Sequence, residues 1–206
     1  MNYANQYFET LTSLLHRTAV TTLEAQSIDT QCALSQLCSI SREIGLNDRQ
    51  QIFCGNGASA AFASHMALDW SKNARIQSRC FSDPSLMSAV ANDLGVEEMF
   101  STPLRCYAKP KDLLVTISSS GNSLNILGGI ATARELGMTV VTFSGLKSTN
   151  QSRSLGDLNF YTPAKTYGIV ECIHQILLHL WLDAFMNVEE WHRDVSQDMN
   201  GKQFIE

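Results

Sequence analysis

The sequence predicts an α/β fold in which helices cover both faces of a parallel sheet. From residue 50 onward, short apolar runs alternate with helix-like patterns, and one such run, residues 139–143, reads Thr-Val-Val-Thr-Phe. Continuous apolar runs of this kind are typical of parallel strands that are buried on both faces. Loops rich in glycine and serine follow two of the runs, at the position where parallel sheets bind ligands. The first 45 residues contain no proline and a single glycine, Gly45, which favours a separate helical arm.

The hydrophobic spacing then predicts each element in order. Two helices occupy the arm, with a break at residues 27–30. The predicted strands lie near residues 51–54, 76–81, 113–117, 139–144 and 158–162. The predicted helices cover about residues 58–72, 84–93, 122–136 and 168–187. We expect one domain, with an arm over residues 1–48, an α/β core over residues 49–188 and a polar C-terminal tail over residues 189–206.

Composition narrows the class of protein. A chain of 206 residues is long enough for one full core, and its net charge of -5 gives no basic footprint for nucleic acid. The six cysteines form no C-x-x-C pair, which is typical of reduced, structural thiols. The N-terminus lacks a signal-peptide pattern, and no stretch approaches roughly 18 uninterrupted apolar residues. We therefore expect a soluble cytoplasmic protein with neither nucleic acid nor a membrane as its partner.

Two loops of small residues each follow a predicted strand and open a predicted helix. The first loop, residues 55–59, reads Gly-Asn-Gly-Ala-Ser, and the serine loop, residues 118–123, reads Ser-Ser-Ser-Gly-Asn-Ser. Small residues let the backbone approach an anion, which hydroxyl groups, free N–H groups and the helix N-terminal dipole can hold. Two such loops in one small α/β pattern predict a pocket for a phosphorylated or otherwise polar small molecule.

Carboxylate and imidazole side chains recur at helical spacing on two predicted helices. His65 and Asp69 are four residues apart and therefore share one face of the helix after the first loop. The last long helix carries a second set in apolar surroundings: Glu171, His174, Gln175 and His179. A surface His–Asp hydrogen bond and a satisfied core histidine are the structural alternatives for the two sets. Together, however, the sets offer the ligand types that suit Zn²⁺ or a similar divalent ion.

Two further patterns allow competing interpretations. Asn92 and Asp93 either form a helix C-terminal turn or hold sugar hydroxyls through an amide and a carboxylate. The first loop also satisfies a loose dinucleotide fingerprint, with Asp83 as the acidic partner near the end of the next strand. That acid lies late in the sequence for the fingerprint, and the serine loop has no role in a dinucleotide site.

The order of these motifs resembles the sugar isomerase (SIS) domain superfamily and, within it, the phosphoheptose isomerase family. The resemblance is carried by the two loops, His65, Asn92, Asp93, residues 133–138, His174 and His179. Members of that family convert sedoheptulose 7-phosphate into D-glycero-D-manno-heptose 7-phosphate for lipopolysaccharide and other surface glycans. The resemblance implies a three-layer SIS fold with a five-stranded parallel sheet, and a homotetramer with active sites at subunit interfaces.

The resemblance also implies residue roles. The residues expected to bind substrate are Asn56, Gly57, Ala58, Ser59, Asn92, Asp93, Ser118, Ser119, Ser120, Ser123 and Glu171. Of these, Ser118, Ser119, Ser120 and Ser123 are expected to hold the phosphate. His65 and His179 are expected to bind one zinc ion per subunit, joined by Asp69 and Glu171. Most members have Glu where Asp69 stands and Gln where Glu171 stands, and both replacements keep an oxygen ligand. The base that moves a proton through the enediol is then Asp69 or Glu171, with His179 as the acid.

Two other functions remain open from the sequence. One is a non-catalytic SIS protein that binds a protein partner, as the tetrameric proteins that associate with the initiator DnaA do. The other is a module that senses a sugar phosphate, which needs the serine loop but no metal. Asp69, Glu171 and His179 favour the enzyme, and bound metal would separate it from both alternatives.

Overall fold

A seven-stranded sheet forms the centre of the chain in the structure, a computed structural model that describes residues 2–192. The strands are β1 Ala19–Thr22, β2 Ser27–Ile28, β3 Gln51–Gly55, β4 Ser78–Cys80, β5 Leu113–Ser118, β6 Thr139–Gly145 and β7 Leu158–Thr162. Their order across the sheet is β2-β1-β7-β6-β5-β3-β4. The five strands from β7 to β4 are parallel, and β1 runs antiparallel to both β7 and β2.

Helices cover both faces of this sheet, so the predicted three-layer α/β class is confirmed. They are α1 Tyr3–His16, α2 Thr30–Leu46, α3 Ala58–Lys72, α4 Pro84–Asp93, α5 Glu98–Tyr107, α6 Leu124–Glu135 and α7 Tyr167–Met186. One apolar layer joins the sheet to α2, α3 and α7, where Trp70 and Trp181 are fully buried with ring centroids 4.7 Å apart. The other layer packs α5 and α6 on the opposite face through Phe100, Leu104 and Ile126.

The predicted number of five strands is wrong, because a hairpin of β1 and β2 extends the sheet to seven. Only helix and a break were predicted in this region, since it contains neither proline nor glycine. Val20 is buried and lies opposite Phe160 of β7, so pairing with the sheet decides the conformation here. The hairpin also covers an edge of β7 that would otherwise expose unpaired backbone groups.

The remaining predicted elements match the structure within a few residues, with one omission. Helix α5 was not predicted, because Pro103 lies inside it and reads as a helix breaker in the sequence. The predicted tail begins with a short 3₁₀ turn at Glu190–His192, and its remainder, residues 193–206, lies outside the described residues.

Of the described helices, α7 alone is long and apolar enough, by length and composition, to cross a membrane. Many of its apolar residues nevertheless fill the core beneath the sheet, including Ile173, Leu178 and Trp181. A helix that is apolar on most of its surface is expected where it is buried within a fold. The position of α7 is therefore that of a central core helix.

His174 of α7 belongs to this core rather than to a surface site. Its side chain is fully buried, and Nε2 lies 3.1 Å from the Ser144 carbonyl oxygen. A carbonyl can only accept, so Nε2 carries the proton and donates it. Burial lowers the pKa of His174 to about 4, because desolvation disfavours the charged ring. The fold therefore favours the structural alternative for His174, namely a hydrogen-bonded histidine of the core.

The buried, neutral His174 predicts a specific acid sensitivity. The unfolded chain binds a proton near the ordinary pKa of about 6.5, whereas the folded chain binds it only near pH 4. The stability from this residue is therefore present above pH 6.5 and is lost as the pH falls toward 4. Between pH 7 and 4.5, wild type should lose about 2 kcal/mol more unfolding free energy than His174→Gln, which keeps a donor to Ser144. Urea unfolding measures the difference, and equal pH slopes for the two proteins would contradict it.

Candidate functional site

The two predicted loops meet because β3 and β5 are neighbouring parallel strands. Gly55 at the end of β3 lies opposite Ile117 of β5, so both loops leave the sheet at the same edge. Gly57 has φ +56°, a conformation that favours glycine, and it turns the chain directly into α3. At Gly55, a Cβ atom would lie 2.5 Å from the Ser59 carbonyl oxygen, so the first loop requires glycine there.

A small pocket of about 130 Å³ lies between the two loops. Its lining consists of Asn56, Ser59, Ile117, Ser118, Ser119, Ser120, Ser123, Tyr167 and Glu171. Every serine of the serine loop is in this lining, together with two residues of the first loop. Of the lining residues, none is basic, and Glu171 is the one that carries a charge. An anion in this pocket must therefore be held by hydroxyl groups and backbone dipoles.

The hydroxyl groups of the pocket differ in how far they are already engaged. Ser118 and Ser120 accept hydrogen bonds from the backbone N–H groups of Gly121 and Asn122, at 3.2 and 3.3 Å. The Ser119 hydroxyl oxygen is buried and has no protein partner. Ser123 is the N-cap residue of α6, yet its side chain does not cap the helix. A buried polar group without a partner is costly, so Ser119 is suited to donate to a bound ligand.

The segment between β6 and β7 supports the serine loop from behind. Gly121 has φ +61°, and a Cβ atom there would lie 2.0 Å from the Asn150 amide oxygen. The backbone N–H of Ser152 donates to the Gly121 carbonyl at 3.0 Å, and that of Gln151 donates to the Asn122 side chain at 3.0 Å. Because Asn150 is itself buried, the serine loop rests on a fixed support.

His65, Asp69 and His179 form a compact group of metal-ligand type. The His65 Nε2 and Asp69 Oδ2 atoms are 3.2 Å apart, and the rings of His65 and His179 have centroids 5.2 Å apart. The ligand atoms of the three residues all lie within 4.8 Å of one another. Zinc bonds to nitrogen and oxygen are about 2.0–2.2 Å long, so small side-chain rotations would bring all three onto one ion. Three protein ligands also leave a position open, as catalytic zinc sites do.

Glu171 is not in this group, although the sequence analysis placed it among the zinc ligands. It precedes His179 by eight residues, which corresponds to about 12 Å along the α7 axis. The residue that contacts His179 is instead Gln175, whose amide nitrogen lies 2.7 Å from the His179 Nε2 atom. Within this chain, Glu171 lies nearer the serine loop, where it lines the small pocket.

A broad groove along α7 is lined by residues from both parts of the site. Its volume is about 800 Å³, and its lining includes Glu171, Gln175 and His179 as well as Leu11 of α1 and Phe62 of α3. Glu171 lines both the groove and the small pocket, so the two cavities are neighbours. Of the His65–Asp69–His179 group, His179 lines the groove.

Several other predicted residues are not in the lining of either cavity. Gly57 and Ala58 form the start of α3 next to the pocket. Asn92 and Asp93 end α4, are exposed, and bond to each other at 2.7 Å. In this respect the local interpretation of the pair, as a helix terminus, agrees with the structure.

Sequence reasoning missed two residues at the site. Tyr167 lines the pocket, and Asn125 bonds to the Asn56 side chain. Asn125 follows the serine loop by two residues and is polar at a buried position in the first turn of α6, which is a signal that could have identified it.

The chain is similar to SIS domain proteins in both sequence and structure. The SIS domain family matches residues 6–145. Phosphoheptose isomerase of Fusobacterium nucleatum is 32% identical over 141 residues, which is 66% of this chain and 72% of that protein. Phosphoheptose isomerase of Aromatoleum aromaticum is 32% identical over 147 residues, with shares of 68% and 74%.

Solved structures give the same relationship. A phosphoheptose isomerase from Neisseria gonorrhoeae aligns with a TM-score of 0.68 and 28% identity, covering 74% of this chain and 84% of that one. A phosphoheptose isomerase from Francisella tularensis aligns with a TM-score of 0.76 over 91% of this chain and all of that one. At 22% identity, the second likeness shows the fold alone.

The His–Asp–His geometry predicts selective loss of metal when one imidazole is removed. His65→Ala should weaken zinc binding by at least about a hundredfold, because it leaves two ligands where three converge. Zinc content after dialysis and competition with a chelator measure the affinity. His16→Ala removes an exposed histidine at the end of α1 and is the matched control. Equal zinc affinity in the two variants would refute the metal site.

Proposed function

The chain belongs to the phosphoheptose isomerase family of SIS domain proteins and is a sugar-phosphate isomerase of that type, and we propose that it converts sedoheptulose 7-phosphate into D-glycero-D-manno-heptose 7-phosphate. The observation that carries this proposal is the groove along α7, which shares Glu171 with the serine-lined pocket and His179 with the His65–Asp69–His179 group. The phosphate binds in the pocket, and the carbonyl end of the sugar lies at the His–Asp–His group.

The length of the groove supports a long sugar over a short one. Glu171, at the pocket, and His179, in the His65–Asp69–His179 group, are separated by about 12 Å of helix. An extended seven-carbon sugar phosphate has a length of this order, whereas a triose phosphate is far too short to reach both ends. A substrate held at both ends is also aligned for reaction, which lowers the entropic part of the barrier.

Asp69 is the base that this geometry favours, and His179 is the acid. Asp69 takes a proton from C1 of the ketose and returns it to C2, while His179 exchanges protons with the O1 and O2 oxygen atoms. Both residues belong to the His65–Asp69–His179 group, whereas Glu171 lines the pocket beside the serine loop. Oδ2 of Asp69 contacts His65, and the second carboxylate oxygen is the atom to which we assign the proton.

The His65–Asp69–His179 group also fits a divalent metal by its donor types and spacing. We propose zinc, which when bound would polarise the sugar carbonyl and stabilise the negative charge of the enediolate. Glu171 then has a different role, in which its carboxylate contacts sugar hydroxyl groups between the two ends of the groove.

The same proposal extends to assembly and setting. We propose a single-domain protein that forms a homotetramer, is cytoplasmic and supplies heptose for lipopolysaccharide, with neither nucleic acid nor membrane as partner. Ile176 and Leu180 are each 38% exposed along the groove, and Phe8 of α1 is 62% exposed. These apolar side chains are suited to burial against another subunit, which would place the groove at a subunit interface.

The proposed roles predict different kinetic effects for the two carboxylates. Asp69→Asn should lower kcat for sedoheptulose 7-phosphate about a thousandfold, because the base is lost. Glu171→Gln should change kcat less than about tenfold and act mainly on KM. Asp48→Asn, which removes a charge from an exposed turn before β3, is the matched control.

Three outcomes of this assay are decisive. Loss of kcat in Glu171→Gln but not in Asp69→Asn would transfer the role of base to Glu171. Full turnover in both variants would exclude a carboxylate base. No turnover by wild type would favour a protein that only binds the sugar phosphate or a protein partner.

A further inference from the structure

We propose that Asn125 is a positioning residue that holds the two walls of the phosphate pocket together through Asn56. This inference rests on the proposed function in one respect, namely that the pocket binds the phosphate of the substrate. It changes the role of Asn56, which the family resemblance assigns to the sugar chain itself.

The two asparagines form a reciprocal amide pair. Asn56 Nδ2 donates to Asn125 Oδ1 at 2.9 Å, and Asn125 Nδ2 donates to Asn56 Oδ1 at 2.8 Å. Rotation of either amide by 180° would place donor against donor and acceptor against acceptor, so each amide fixes the orientation of the other. The Asn125 oxygen also accepts from the backbone N–H of Ile126 at 3.0 Å, which ties the pair to the first turn of α6.

The pair connects loops that are far apart in the sequence. Asn56 lies in the first loop, and Asn125, 69 residues later, follows the serine loop by two residues. Beyond Gly55 and Ile117 the ladder between β3 and β5 has ended, so the sheet no longer fixes the distance between the loops. The amide pair continues the connection past the end of the sheet, at the point where the pocket begins.

Burial makes Asn125 the fixed member of the pair. Its side chain is 4% exposed, whereas Asn56 is exposed at the rim of the pocket. The Asn56 oxygen and one of its N–H groups are already engaged by Asn125, which leaves little of the amide for a sugar hydroxyl. Asn56 therefore acts on the ligand by holding the first loop, including Ser59, against the serine loop.

A double-mutant cycle separates this role from independent contact with the ligand. The variants are Asn56→Ala, Asn125→Ala and the two together, and the probe is inorganic phosphate, titrated calorimetrically into the zinc-loaded protein. Each single variant should weaken phosphate binding about tenfold, because the loss of one amide leaves the other unpaired. The double variant should also lose about tenfold rather than about a hundredfold, because both changes break the same connection.

A second measurement distinguishes positioning from a purely structural role. With sedoheptulose 7-phosphate, each single variant should raise KM about tenfold and keep kcat within about threefold, because Asp69 lies at the far end of α3 from Asn56 and His179 lies on α7. Asn47→Ala removes an exposed asparagine at the C-terminus of α2, at the opposite edge of the sheet, and is the matched control. A lower melting temperature with unchanged phosphate binding would overturn the proposal, and so would a double variant that loses about a hundredfold.

If Asn125→Ala does not fold, Asn125→Asp supplies that corner of the cycle. This variant keeps the oxygen that accepts from Asn56 and loses the donor. Its added charge is present in both the single and the double variant that contain it, so the effect of the charge cancels in the cycle.

Phosphate binding also separates this inference from the proposed function. Coupled losses of phosphate binding without turnover of the heptulose phosphate would support the role of Asn125 and reject the proposed substrate. Turnover with uncoupled losses would do the reverse.

Discussion

The parallel pairing of β3 with β5 is the interaction on which the rest of the site depends. Opposed positions along these strands, ending with Gly55 opposite Ile117, bring two loops from distant parts of the sequence to the same edge of the sheet. Each loop then opens a helix, so hydroxyl groups and helix N-termini converge on one small volume. No basic side chain lines this pocket, and the fold itself must therefore supply the attraction for an anion.

Helix α7 forms one wall of the groove beside the phosphate pocket. One of its faces is buried beneath the sheet around Trp181, and the other carries Glu171, Gln175 and His179 along an open groove. The rise of the helix fixes the distance between the phosphate pocket and the imidazoles. Because α3 starts at the first loop and carries His65 and Asp69, the same two helices hold both ends of the groove.

Local patterns were enough to predict much of this arrangement. The two loops, the strands that precede them and the i, i+4 pair of His65 and Asp69 are all visible in the sequence, because each depends on neighbours in the chain. The β1–β2 hairpin was not predictable in this way, since Val20 becomes a strand residue only through its pairing with β7. Likewise, the spacing along α7 predicted Glu171 and His179 on one helix face. It gave no sign that His65 and Asp69 of α3 lie beside His179 and that Glu171 lies at the serine-lined pocket. The Asn56–Asn125 contact joins residues 69 positions apart, and no local pattern encodes it.

Proton NMR of the zinc-loaded protein with sedoheptulose 7-phosphate in D₂O tests the central claim most directly. The account predicts an aldose product that carries deuterium at C2, because the proton that moves through the enediol exchanges with solvent on the carboxylate. Product without deuterium would contradict proton transfer by an exchangeable base. An unchanged sugar, in a protein that still binds inorganic phosphate, would contradict catalysis and leave a binding protein with the same pocket.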